Sequence, residues 1–158
     1  MISATVITDA SFCHETRAAG WAAHVQVDTM SGPVRMSAAF RDTPANSAEA
    51  ELLAAVNGLW LATQRGAEQF LLQTDCLAVV TIVNGRSRKG LLRFRFAAAC
   101  EAVGIDPMIV TARHVRGHSG VLDARSHVNR WCDRHAKTAM RHQRKQFIKL
   151  KLGEEVQL

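Results

Sequence analysis

The hydrophobic period of the chain first changes near residue 44, and that change limits the architectures open to it. Before it, three runs carry the two-residue repeat of a strand. "ATVITDA" is β-branched and apolar on both faces, as expected of a central strand. "WAAHVQV" sets Trp21, Ala23, Val25 and Val27 on one face and His24 and Gln26 on the other. After the turn signal "TMSGP", "VRMSAAF" alternates again through Val34, Met36, Ala38 and Phe40. These runs predict an antiparallel meander with one covered face.

Beyond residue 44 the spacing becomes helical. Pro44 and Asn46 stand where a helix would begin, and Asn46 with Glu49 resembles a capping box. Leu52, Val56, Leu59 and Trp60 then recur at helical intervals until "QRG" closes the segment near Gly66. A strand "QFLLQTD", a short helix "CLAVVTIVN", a helix "LLRFRFAAACEAVG" and a strand "DPMIVTARHV" follow. A long helix spans about Ala124 to Gln143, marked by Val128, Trp131, Cys132, His135, Ala139 and Met140. The expected fold class is α/β: a five-stranded mixed sheet, three antiparallel strands then parallel ones, flanked by helices. In such a sheet a site gathers where strand ends and helix starts converge. The length of 158 residues suits one domain, over residues 1–142, with a loosely held basic tail over 143–158.

Acidic residues occupy unusual places in this pattern. Asp9 lies inside the apolar first strand, where a lone buried charge is costly. Asp75 terminates "FLLQTD", and Asp133 sits beside the apolar stripe of the last helix. Each has an ordinary alternative: a turn for Asp9, a helix cap for Asp75, an arginine partner for Asp133. Glu49 and Glu51 both open the helix "AEAELLAAVNGL" and point some 200° apart at about 100° per residue, so one of them at most faces a common site. Local pattern does not say which.

The formal net charge is +6, and it is clustered. Arg86, Arg88, Lys89, Arg93 and Arg95 form one group; Lys137, Arg141, Arg144, Lys145, Lys149 and Lys151 form another without an acid among them. Clustering of this kind suits phosphate contact. Cys13, Cys76, Cys100 and Cys132 are scattered and never paired as CxxC, which argues against zinc and for reduced thiols. With no apolar run of membrane-spanning length and no secretory plan in "MISATVITDAS", the expectation is a soluble, cytoplasmic protein without a membrane partner.

Four segments, in order, resemble the ribonuclease H type I family. "ITDASF" is similar to its first-strand motif, and "AELLAAVNGLWLATQRGAEQFLLQTDCLAVV" to its helix-to-strand segment. "HVRGHSG" resembles its histidine loop, and "NRWCDRHAK" its closing helix, in which an asparagine precedes the last aspartate by four positions. The resemblance covers roughly residues 4 to 142. Counted against the family's spacing, Glu51 fits the glutamate position, with Ala54, Ala55 and Leu59 following; Glu49 is then a first-turn acid that favours the helix dipole.

The resemblance implies an endonuclease that cuts RNA in RNA–DNA hybrids and leaves 5′-phosphate and 3′-hydroxyl ends. Asp9, Glu51, Asp75 and Asp133 would be catalytic acids and metal ligands; His118 would assist proton movement or product departure. Converging carboxylates repel unless cations hold them, and hard oxygen donors suit magnesium, with manganese as substitute. Two such ions about 3.5–4 Å apart can clamp the attacking and leaving oxygens of a phosphodiester. Ser47 is implied as a 2′-hydroxyl contact, Asn129 as a substrate contact, and Arg86, Arg88 and Lys89 as the basic grip. The chain departs from the family in carrying Ala10 where glycine is usual and in a longer loop after His118, which includes Asp123 as a rival acid. Other expectations compatible with the same residues are a related nuclease of DNA or duplex RNA, and a non-catalytic nucleic-acid-binding module. A monomer is expected.

Overall fold

The computed structural model of the chain describes residues 1–86, 90–116 and 123–153. The three alternating runs form β1 (Ser3–Phe12), β2 (Ala19–Val27) and β3 (Val34–Ala39), joined as an antiparallel meander. The helical run becomes α1 (Ser47–Thr63), capped by the Asn46 side chain, which accepts from the Glu49 N–H at 2.9 Å. There follow β4 (Gln69–Thr74), α2 (Leu77–Val83), α3 (Gly90–Val103), a short 3₁₀ turn at Pro107–Ile109, β5 (Val110–His114) and α4 (Ala124–Lys151). The sheet order is β3-β2-β1-β4-β5, with β1, β4 and β5 parallel. Their C-terminal ends therefore share one edge of the sheet, together with the loops that leave them.

Each face of the sheet has its own cover. Val6, Val25 and Leu72 pack under Leu52 and Leu59 of α1 and under α2 and α3. On the opposite face Ile7 and Ala22 meet Cys132 and Ala136 of α4. Two glycines set how closely the helices sit. A Cβ on Gly58 would lie 2.6 Å from Thr8 Cγ2, and one on Gly20 would lie 2.5 Å from both the Ala136 carbonyl oxygen and the Met140 nitrogen. The α4 backbone thus rests directly on β2. Farther along, Trp131 stacks on His135 with ring centroids 4.1 Å apart, and Arg35 of β3 lies over the Trp131 ring at 5.1 Å.

The last helix continues beyond Gln143 to Lys151, so position 142 lies within a helix and not at its end. Past Met140 the apolar residues thin out, which is why the sequence suggests a stop there, but Arg, Lys and Gln are good helix formers. Gln143 is buried and fastens the helix to the meander: its Oε1 accepts from the Ala19 N–H at 2.8 Å and its Nε2 donates to the Phe40 carbonyl at 2.9 Å. Gln143→Ala leaves both backbone groups without these bonds, and a loss of about 2–4 kcal/mol is expected in urea unfolding. A change below about 0.5 kcal/mol would mean water serves those groups equally well.

Asn84 performs a similar task at the sheet edge. Its side chain donates to the Ala112 carbonyl and accepts from the Ala112 N–H, both at 2.8 Å, so it occupies outward-facing backbone groups of β5. An edge strand treated this way is a poorer template for pairing with another chain.

Candidate active site

Three acids meet at the shared strand edge. Asp9 is near the end of β1, Asp75 directly follows β4, and Glu51 is in the second turn of α1, which packs against β1. One carboxylate oxygen from each lies within 4.8 Å of the others. Asp9 is almost fully buried, and its Oδ1 accepts from the Ala10 N–H at 3.0 Å. Glu51 Oε2 is buried with no hydrogen-bond partner among the described residues.

Such crowding resists ionisation. Burial, then the charge of Asp75, raises Asp9 from an ordinary 3.8 to about 7. Burial, then Asp9 and Asp75, raises Glu51 from 4.5 to about 10. These oxygens are hard donors, and among the described residues Asp9 and Glu51 have no ion-pair partner, a combination that fits a divalent ion of the magnesium type.

Asp133 stands at the margin of this group. Its charge reaches Asp9 and adds to the raised proton affinity there, yet it lies outside the tight trio. Lys137, one turn along α4, donates to Asp133 Oδ2 at 2.9 Å. The i, i+4 spacing of "DRHAK" carries that pairing in the sequence, although the expectations above leave Lys137 out of the site. Another neighbour without a local signal is His114: its Nε2 is 3.1 Å from the Asp75 carbonyl oxygen, a contact created by the parallel pairing of β4 and β5.

The remaining expected residues divide. Ser47 is exposed and begins α1, one turn ahead of Glu51. Asn129 is buried one turn ahead of Asp133, and its Oδ1 has no partner among the described residues. Arg86 is not brought to the acids. The seven residues of α2 carry the chain away from Asp75, and Arg86 lines a groove with Pro107 and Met108, which precede β5 at the opposite edge of the sheet. His118, Arg88 and Lys89 lie outside the described residues. The rival acids have other tasks: Asp123 caps α4 by accepting from the Ser126 N–H at 2.6 Å, and Glu49 lines a separate hollow with Arg17, Asp42 and Arg95.

Residues 8–102 match the family model described as reverse transcriptase-like. The chain is similar in structure to the N-terminal RNase H domain of a Mycobacterium tuberculosis protein, solved as a fusion with maltose-binding protein: 20% identity, 92% of this chain and 98% of that one covered, TM-score 0.70. It also resembles RNase H1 of the halophilic archaeon Halobacterium salinarum, at 17% identity over 89% of this chain and 98% of that one, TM-score 0.67. A third likeness is to LC11-RNase H1 in complex with an RNA/DNA hybrid, at 13% identity over 89% and 98% of the two chains, TM-score 0.65. No curated protein matches the chain in sequence.

Proposed function

Because the chain belongs to the reverse transcriptase-like family and has the ribonuclease H-like fold, we propose that it is a metal-dependent endonuclease that hydrolyses the RNA strand of RNA–DNA hybrids. The observation that carries this is the convergence of buried Asp9 with half-buried Glu51 and Asp75, with Glu51 Oε2 lacking a partner among the described residues. Asp9, Glu51 and Asp75, with Asp133 beside them, are the side chains that would hold two magnesium ions, for which manganese can substitute. When bound, these ions would supply the positive charge that activates a water and stabilises the departing 3′-oxygen, giving 5′-phosphate and 3′-hydroxyl ends.

The protein's own part is placement. Parallel strands fix Asp9 and Asp75 on one edge, and α1 holds Glu51 against them from above. Lys137 keeps Asp133 oriented and tempers its charge before substrate arrives. Ser47, exposed one helical turn from Glu51, offers a hydroxyl to a ribose 2′-hydroxyl, the group that separates RNA from DNA. Asn129 Oδ1 can accept a hydrogen bond beside Asp133. His118 would move protons at the leaving product.

Purified protein with magnesium and labelled RNA–DNA hybrid, duplex RNA and duplex DNA tests the proposal in one assay. Cleavage confined to the RNA of the hybrid is the expected result. Cleavage of duplex DNA or duplex RNA with the hybrid left whole would replace it with another nuclease activity on the same fold. Binding without cleavage of any of the three would leave a nucleic-acid-binding module.

A further inference from the structure

Helix α4 begins its contribution to the site at Asp133 and runs on for five turns to Lys151, eighteen residues later. At 100° per residue, Lys137, Arg144 and Lys151 all fall within about 40° of the Asp133 azimuth, with Arg141 flanking them. This face is therefore an acid at one end and a basic stripe thereafter. From Arg134 to Leu152 there are seven lysines and arginines and no acid. Arg141, Arg144, Lys145, Lys149 and Lys151 have no ion-pair partner among the described residues.

The direction of the helix matters as much as its charge. Cys132 touches the Ile7 carbonyl on β1, Ala136 and Met140 lie on Gly20 of β2, and Gln143 reaches Phe40 just past β3. Those contacts run from the middle of β1 to the start of β2 and the end of β3, so the helix moves toward the edge that holds the acids as it leaves Asp133. Arg144 is also near enough to Cys13, in the β1–β2 hairpin on that same edge, to help lower the proton affinity of its thiol, after the larger effect of Thr16.

We propose that the Lys137–Arg144–Lys151 stripe, with Arg141, is a docking rail for the sugar–phosphate backbone of a nucleic-acid duplex beyond the point of cleavage; this rests on the nuclease function proposed above. Five turns span about 27 Å, or about eight phosphate spacings along one strand. A polyanion entering a pocket of four acids meets repulsion, and a basic rail in line with that pocket offsets it. The exposed Ile148, Leu150 and Leu152 do not make a membrane-binding face: Leu150 points about 160° away from Ile148 around the helix.

The rail gives long duplexes an advantage that short ones cannot have. Affinity is measured in metal-free buffer with hybrids of about 8 and about 24 base pairs, for the native chain and for R141Q/R144Q/K151Q, over a range of salt. The native chain is expected to bind the long hybrid at least about tenfold tighter per site, and the variant to lose that gain with a salt slope lower by about 2–3. K151E alone, at the exposed end of the helix, should lose part of the gain and keeps the test decisive if the triple variant unfolds. An unchanged length gain and salt slope in the variants would overturn the rail. So would charge-dependent binding of α4 to phosphatidylserine vesicles with no such effect on hybrid. Cleavage by the native chain with magnesium is scored separately: a rail without cleavage defeats the nuclease function, and cleavage without a length gain defeats the rail.

Discussion

Asp9→Asn is expected to lower hydrolysis of an RNA–DNA hybrid by about 10³-fold or more while stabilising the metal-free protein. Asparagine has nearly the shape of aspartate and can still accept from the Ala10 N–H, so the β1 backbone has no reason to move. What is lost is a negative charge that is buried and pressed by Asp75 and Asp133. Without metal that charge is a burden on the fold, and its removal should add about 2–4 kcal/mol at pH 8, read from urea unfolding in EDTA. With metal it is the charge that binds. Opposite signs for activity and stability distinguish a site acid from a structural one. Cleavage at the native rate by the folded variant would remove Asp9 from the mechanism and with it the assignment of the whole trio.

The second large effect is on pH and metal together. Asp9 and Glu51 hold their protons more tightly in the fold than in the unfolded chain. Between about pH 4 and about pH 10 the native state therefore binds more protons, and the metal-free protein loses stability as pH rises. The contribution is complete below the ordinary carboxylate range, falls as pH passes through about 7 for Asp9, and falls further toward about 10 for Glu51. In EDTA the melting temperature should drop by about 5 °C or more between pH 5 and pH 9. Millimolar magnesium should restore it, by more at pH 8 than at pH 5, because binding must displace protons at the lower pH. A flat profile in EDTA, or a magnesium effect that is independent of pH, would contradict the crowded-carboxylate account.

The elements themselves were legible because each has a strong local period. Alternation in "WAAHVQV" and "VRMSAAF" marks the strands, and Leu52, Val56 and Leu59 mark the helix that packs on β1 and β2. The expected single covered face differs, since β2 is buried on both faces between α1 and α4 while the middle of β3, Met36 included, is exposed. Asp9 could be singled out because a carboxylate interrupts a strand with apolar neighbours on both sides. The choice of Glu51 over Glu49 needed the family spacing; in the fold a Glu51 oxygen lies within 4.8 Å of Asp9 and Asp75 oxygens, while Glu49 lines a separate hollow with Arg17 and Arg95. What could not be read locally depends on partners far away in the chain. Gln143 is an ordinary polar residue until Ala19 and Phe40 arrive, and His114 gains its contact only through strand pairing. The charge cluster and the family pattern assign Arg86 to substrate grip, and the fold sets it beside Pro107 and Met108, away from the three acids.

The bare backbone at position 20 works as a gauge for the acidic cluster. Because no carbon stands between β2 and α4 there, the helix settles at the depth that brings Asp133 within electrostatic range of Asp9. Any side chain at that point would act as a wedge, lifting the helix and the acid it carries while the other three acids stay anchored to β1, α1 and β4. A residue with no chemistry of its own thus governs how near the fourth carboxylate comes to the other three.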